Sequence, residues 1–312
     1  MKQIAVVSGK GGTGKTTLAS SLAFLLENHV IADCDVDAPN MHLILNPSVE
    51  KEEEFVGGKK AVIIDEKCIR CGVCGNICRF DAIYVRDDGS YYVDEFACEG
   101  CSACVIACPT NAIELVDEVA GSVYTSKTKV APMVHALLRP GEETSGKLVA
   151  EVRKKALEVA KSEKKDYVVI DGAPGIGCPV ESTVVGVTYV IVVAEPTSSG
   201  LHDMRRIVEV LEQLRRNFGV VINKYDINME KTRDIKNFCD VKGIRILGKI
   251  PFDEKVQTAN VMGIPVVKVN GSPAALEIRR IYRELLKILE GGLKSEDRSS
   301  FEGRQSRFTS ER

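Results

Sequence analysis

The sequence predicts an α/β protein whose mostly parallel sheet is interrupted by a compact, cysteine-dense insert. Three observations point there. Apolar runs at residues 3–8 (QIAVVS) and 29–33 (HVIAD) flank a helical stretch at 16–27, and strands joined by a crossover helix lie parallel. The same alternation of apolar runs and helical stretches returns after residue 118. Between the two halves, eight of the eleven cysteines crowd into two clusters, Cys68 to Cys78 and Cys98 to Cys108.

Taken in order, residues 3–8 are short and wholly apolar at their centre, as a buried strand requires. The helix at 16–27 gathers Leu18, Leu22, Leu25 and Leu26 on one face. At Gly57-Gly58, followed by a lysine pair, the composition changes. Beyond the insert come a helix at 146–162, strands at Tyr167–Asp171 (YVVID) and Tyr189–Ala194 (YVIVVA), and a helix at 199–216. Strands at Gly219–Asn223 and Ile244–Ile250 and a helix at 273–290 complete the pattern. The expected organisation is residues 1–57 as the first part of the α/β domain, 58–117 as the insert and 118–290 as the second part. Residues 291–312, rich in Ser, Arg, Glu and Gly, bury too little to order themselves and are expected to be a disordered tail.

With 312 residues, 44% of them hydrophobic, the chain can build a sizeable core. A net charge of −2 supplies no general attraction to nucleic acid or to an anionic membrane. No apolar run approaches the roughly 18 residues of a membrane span. The first strand runs straight into a glycine loop, which is not the pattern of a signal peptide. Cysteines this dense in such a chain read as metal-bound thiolates in a reducing cytoplasm, not as a disulfide framework.

Residues 9–16 (GKGGTGKT) sit between the first strand and the first helix and fit G-x-x-x-x-G-K-[ST] in the context that pattern needs. The glycines let successive N–H groups turn toward phosphate oxygens, and the helix adds its positive end. Gly11, Gly12, Thr13, Gly14, Lys15, Thr16 and Thr17 form the candidate nucleotide cradle. Lys15 is placed to reach the β- and γ-phosphates and the Thr16 hydroxyl to bind Mg²⁺.

The extra lysine, Lys10, makes this loop resemble the deviant Walker A motif of the family that contains MinD, ParA, Mrp-type ATPases and the nitrogenase iron protein. The resemblance covers residues 1–57 and 118–290. It implies a sheet with helices on both faces, ATP as the nucleotide, and slow hydrolysis in a dimer where Lys10 crosses to the partner's nucleotide. That dimer forms with a second copy or with a similar ATPase chain. Residues 33–40 (DCDVDAPN) look like the family's switch I, which implies a hydrolytic role for Asp35 and a supporting Mg²⁺ role for Asp33, with Asp37 competing. Residues 171–177 (DGAPGIG) are similar to switch II, which implies that Asp171 holds Mg²⁺ through water. Asn223 matches the family's adenine-reading position, and Pro251 and Asp253 match the loop that lies against the base. Asp226, three residues after Asn223, keeps guanine as the alternative base.

Cys68-x₂-Cys71-x₂-Cys74-x₃-Cys78 and Cys98-x₂-Cys101-x₂-Cys104-x₃-Cys108-Pro109 are two copies of the bacterial ferredoxin run. Zinc favours separated pairs, whereas three thiolates two residues apart can cap three corners of one cube. In two-cluster ferredoxins the fourth cysteine of each run serves the other cluster. Cys68, Cys71, Cys74 and Cys108 are therefore assigned to one [4Fe–4S] cluster, and Cys78, Cys98, Cys101 and Cys104 to the other. The repeats Phe80-Asp81-Ala82-Ile83 and Thr110-Asn111-Ala112-Ile113 suggest an internal two-fold. Arg79 stands where the second run has Pro109; it either tunes one cluster or faces water, and the surface reading is preferred.

Cys178 lies seven residues after Asp171, near where the nitrogenase iron protein holds a cluster across its dimer. It is a candidate bridging ligand, against the alternative of a small buried residue. Cys34, Cys239 and His135 read as structural. The last helix alternates apolar and basic residues, which fits a helix closing the sheet better than a membrane anchor. The function expected first is nucleotide-gated electron delivery from the ferredoxin module to a redox partner. The alternatives are a cluster-assembly factor with a cluster-acceptor partner, and a spatial organiser of the MinD or ParA kind that uses its clusters as sensors.

Overall fold

The computed structural model describes residues 1–139 and 146–291. In chain order the elements are β1 (Lys2–Ser8), α1 (Lys15–Leu25), β2 (His29–Asp33), α2 (Met41–Leu45), β3 (Ser48–Ile63), α3 (Val73–Ile77), β4 (Ile83–Val85), β5 (Tyr91–Val93), α4 (Ala103–Ala107), β6 (Ile113–Lys127), β7 (Pro132–Leu138), α5 (Gly146–Ser162), β8 (Tyr167–Pro174), α6 (Cys178–Val184), β9 (Tyr189–Ala194), α7 (Ser198–Gln213), β10 (Phe218–Asn223), α8 (Met229–Lys242), β11 (Ile246–Ile250), α9 (Glu254–Val261) and α10 (Pro273–Gly291). A nine-stranded sheet runs β11-β10-β9-β1-β8-β2-β7-β6-β3. From β11 to β7 neighbours are parallel; β6 and β3 continue the sheet antiparallel.

The central strands β1, β2 and β9 carry apolar runs (Ile4–Val7, Val30–Ala32 and Tyr189–Ala194) that are buried because both their faces are covered. On one face Leu148, Val152, Val184, Met204 and Ile235 bring α5 to α8 onto the sheet. On the other, Leu18, Leu22, Met41, Ala259 and Ile281 bring α1, α2, α9 and α10. The expected fold, a mostly parallel sheet with helices on both faces, is the observed one. The apolar face of α10 is spent on closing it. Ile278, Ile281, Leu285 and Leu289 are buried, and Gly248 of β11 leaves room for Ile281, since a Cβ there would stand 2.5 Å from Ile281 Cγ1. Among the described residues no helix is long and apolar enough to cross a membrane.

The boundaries expected at 57/58 and 117/118 fall inside two continuous strands. β3 and β6 pair from Ser48–Lys127 to Ile63–Ile113, so an unbroken antiparallel ladder rises from the sheet edge into the cysteine-dense region. The composition hid it. β3 is an edge strand whose first half (SVEKEEEF) is charged and mostly exposed, with Phe55 turned into the core. β7 likewise occupies a stretch for which no element was expected. Helix α7 stops at Gln213, short of the expected 216, because Arg215 takes a left-handed φ of 51°. The tail expected at 291–312 lies outside the described residues apart from Gly291.

The surroundings of His29 and His135 are those of structural residues. His135 stacks on Tyr124 with ring centroids 5.1 Å apart and shares a 3.0 Å hydrogen bond with the Ser126 hydroxyl. His29, 2% exposed, has no hydrogen-bond partner on either ring nitrogen. Burial, helped by the charge of Lys165, lowers its pKa to about 4. An unfolded histidine takes up its proton near 6.5, so between there and about 4 the unfolded chain binds more protons than the folded one. Stability is thus complete above about pH 6.5 and falls as the pH drops toward 4, by on the order of 3 kcal/mol from this residue. Urea unfolding at pH 7 and pH 5 should show His29→Gln losing clearly less stability on acidification than the parent. Equal losses would remove His29 as the cause.

Candidate functional site

β1, β8 and β2 are adjacent and parallel, so all three end at one edge of the sheet, where ligands of open α/β sheets bind. The glycine loop leaves β1 there. Gly12 (φ 75°) and Gly14 (φ 93°) take left-handed conformations that a side chain would resist, and Gly14 is the N-cap of α1. The Ser8 hydroxyl donates to the Lys10 carbonyl at 2.8 Å. Asn223, from the end of β10, donates its amide Nδ2 to the Thr13 carbonyl at 2.7 Å, and a Cβ on Gly14 would stand 2.3 Å from that same nitrogen.

Lys15 is buried and faces Asp35 across 3.3 Å. Asp33 and Asp171 are register partners on β2 and β8, both fully enclosed. Asp33 spends both oxygens on the following loop, accepting from the N–H groups of Asp35 (3.2 Å) and Met41 (3.3 Å). Burial, then the neighbouring Asp171 charge, push its pKa well above the usual carboxylate range. Burial raises Asp171 to about 6, with Lys15 opposing, and the Thr16 hydroxyl and Asp35 also lie close enough to influence it. Burial raises Asp35 as well, against the pull of Lys15.

Both Asp171 oxygens and Asp35 Oδ1 are buried without a hydrogen-bond partner. Such orphaned acceptors beside a lysine and a hydroxyl fit a hydrated Mg²⁺ with a phosphate chain. In that arrangement Thr16 and Asp171 would hold the ion, Asp35 and Asp33 would stand behind its waters, and Lys15 would meet the phosphates.

Lys10 lies within its own chain on Glu195, 3.3 Å away, with the Thr197 and Ser199 hydroxyls each at 3.2 Å. Lys224 holds the other oxygen of Glu195 at 2.8 Å and reaches toward the Gly12 carbonyl. Burial works to raise Glu195, but Lys224 and Lys10 outweigh it and hold the carboxyl below its usual range. Sequence reasoning missed Glu195. Its signal was position, directly after β9 at the edge that also carries Asp171 and Asn223.

The residues expected to read the base are drawn into contacts of their own. Asp253 caps α9 through the Lys255 N–H and accepts from Ser272 Oγ (2.5 Å) and the Ala274 N–H at the start of α10. Its carboxyl is thus committed to joining two helices. Asp226 accepts from the Phe252 N–H at 2.7 Å, which fixes the loop containing Pro251 and engages the carboxylate offered as the guanine reader.

At the far end of the β3–β6 ladder, the eight clustered cysteines line two separate pockets. Cys68, Cys71, Cys74 and Cys108 line one; Cys78, Cys98, Cys101 and Cys104 line the other. Each pocket draws three thiols from one run and one from the other. The two runs repeat thirty positions apart in backbone as well as sequence. Left-handed φ angles recur at Arg70 and Gly100, Gly72 and Ser102, and Asp81 and Asn111. The Ala82 and Ala112 N–H groups donate to Cys78 Sγ (3.4 Å) and Cys108 Sγ (3.2 Å), and Ala61 N–H donates to Cys98 Sγ (3.5 Å). Four sulfurs around a cavity with Ala61, Ile83 and Val93 or Ile63 and Ile113 as apolar walls, and N–H groups aimed at sulfur, suit a thiolate-held iron–sulfur cube.

Of the remaining thiols, Cys34 and Cys239 are buried, and burial pushes Cys34 far up and Cys239 to about 11, so both are inert. Cys178 is exposed at the start of α6. Arg79 is exposed, in keeping with the surface reading.

Residues 4–266 match the family described as CobQ/CobB/MinD/ParA nucleotide binding domain. An uncharacterized protein of Methanocaldococcus jannaschii is 33% identical over 92% of this chain and 97% of its own. A protein of Pyrococcus abyssi named iron-sulfur cluster carrier protein is 26% identical over 94% of this chain and 90% of its own. An uncharacterized ferredoxin of M. jannaschii is 35% identical over 32% of this chain and 72% of its own. Among solved structures, the septum site-determining protein MinD of Pyrococcus horikoshii, complexed with Mg-ADP, superposes with a TM-score of 0.57 at 21% identity. That match covers 92% of this chain and 97% of MinD.

Gly14→Ala tests the cradle. The new Cβ forces Asn223 off the Thr13 carbonyl and strains a left-handed residue, which together cost about 1–3 kcal/mol. Calorimetric titration with ATP should show binding about five- to 150-fold weaker. Unchanged affinity would mean that Asn223 does not hold the loop in its binding shape.

Proposed function

This chain belongs to the CobQ/CobB/MinD/ParA nucleotide-binding family, as a P-loop ATPase, and we propose that its ATP cycle gates electron delivery from two [4Fe–4S] clusters to a partner protein. The observation that carries this reading is the pair of four-thiol pockets with crossed cysteine membership, built on a ladder that begins in the ATPase sheet. The match to a protein named ferredoxin, 35% identical over 109 residues, supports it. Residues 58–117 are accordingly read as the ferredoxin module, and 1–57 with 118–290 as the ATPase domain. Each cube, when bound, supplies a one-electron carrier.

The chain's own residues supply the gating. Lys15 and Asp35 neutralise each other in a nearly buried pair. A triphosphate competes for Lys15 and frees the Asp35 carboxylate to orient water for attack, while Asp171 and Thr16 hold Mg²⁺. Lys10, released from Glu195, extends to the partner's nucleotide in a dimer, with a second copy or with a similar chain. Asn223 and the loop around Pro251 border the adenine. Loss of the γ-phosphate then lets the segment after Asp171 re-form, and that segment, the end of β8 with Gly175–Gly177, leads directly into α6.

A second reading, cluster assembly and transfer, is favoured by two observations: relatives named iron-sulfur cluster carrier protein, and the exposed Cys178 beside the switch loop. Anaerobic material should carry about eight irons per chain, and Cys108→Ser should lower that to about four by emptying the pocket of the opposite run. Iron near zero in the parent would sink both readings. Cys178→Ala should leave ATP-dependent reduction of an acceptor dye intact; loss of iron delivery to an apo-acceptor, with dye reduction unchanged, would favour transfer over gating.

A further inference from the structure

Helix α5 lies between the two functional ends of the molecule and grips both. On one side stands α6, which follows the end of β8 after only the three residues Gly175, Ile176 and Gly177. Arg153 donates from Nη1 to the Ser182 carbonyl of α6 (2.5 Å) and from Nη2 to Gln3 Oε1 of β1 (2.8 Å). It is a half-buried arginine with no carboxylate partner among the described residues, and burial lowers its pKa from the ordinary value. The helix start is equally close to α6, because a Cβ on Gly146 would stand 2.7 Å from Ser182 Oγ and 3.3 Å from Cys178 Cβ.

On the other side stands the ladder that carries the cysteines. Lys155 pairs with Glu53 of β3 at 2.8 Å. Two residues apart on a helix, Arg153 and Lys155 point to different sides, so one element holds the switch helix and the ladder at once. Between the two polar grips Val149, Val152 and Ala156 share a buried core with Phe55 of β3 and with Val180 and Val184 of α6. Just above Glu53 the ladder is bulged, at Phe55/Val56 and Val56/Gly58, which lets it bend relative to the sheet.

We propose that α5 is the coupling element, in which Arg153 positions the switch helix for ATP hydrolysis and Lys155 passes any displacement of α5 through Glu53 to the β3–β6 ladder. This rests on the reading that the cysteine module responds to nucleotide state, but it names the route and fails separately. A movement of α6 as the γ-phosphate leaves acts on the Arg153 grip and shifts α5, and the ladder follows through the ion pair. Packed interfaces transmit such shifts because they cannot deform continuously.

The test is hydrogen–deuterium exchange on the cluster-loaded, full-length chain, with and without ATP and a non-hydrolysable analogue. In the parent, ATP should change exchange in peptides covering residues 48–63 and 113–127. Lys155→Met and Glu53→Gln should abolish that change and leave ATP affinity and iron content as in the parent, because a partly exposed ion pair contributes only about 0–1 kcal/mol to stability. Lys155→Arg should restore it. Arg153→Lys, which keeps the charge but loses the two-pronged grip, should lower kcat with KM unchanged. The proposal is overturned if the parent shows no nucleotide-dependent exchange in the ladder, or if Lys155→Met retains it. Ladder exchange that follows nucleotide without ATP-dependent electron delivery would uphold the coupling and sink the gating.

Discussion

Parallel pairing of β1, β8 and β2 is the constraint from which the nucleotide site follows. Hydrogen-bonded neighbours must end together, and the register sets Asp33 beside Asp171 and delivers the glycine loop to the same edge. Residues more than a hundred positions apart thereby share one pocket. Because the strands are covered by helices on both faces, their carboxylates are carried into a region poor in water, and that burial raises Asp33, Asp35 and Asp171. The site is built in electrostatic tension that a magnesium ion and a phosphate chain would relieve.

The same logic accounts for the lysines. Lys15 is tolerated inside because Asp35 faces it. Lys10 and Lys224 share Glu195, so two cations beside the phosphate cradle are held by one carboxylate. Neither arrangement adds much stability, since desolvation offsets the attraction. Their effect is to hold reactive side chains in defined positions until a ligand competes for them.

The cysteine region is added where the sheet has an end to extend. β6 and β3 leave the parallel run antiparallel, which lets two strands continue outward as a ladder without opening the core. An insertion anywhere between β9 and β2 would have broken the pairing that forms the phosphate site. At the edge it costs little, and it leaves the two thiol pockets tied to the ATPase sheet by continuous backbone.

Much of this was legible in the residues. The glycine loop, the carboxylates after β2 and β8 and the eight clustered cysteines declare themselves by short-range spacing, because phosphate cradles and thiolate cubes demand fixed local geometry. The crossed grouping of Cys78 and Cys108 followed from the doubled run, and the two pockets have that membership. β3 was not legible, since a charged edge strand carries no apolar period of its own, and β7 (PMVHALL) was missed although it is largely apolar. Nor could composition reveal that Asp253 caps two helices, that Glu195 holds Lys10, or that Arg153 and Lys155 grip opposite neighbours. By itself the sequence determined which reactive side chains stand together in local motifs, because their spacing is short-range. Tertiary structure decided how they are joined, because long-range hydrogen bonds and ion pairs depend on which strands and helices become neighbours.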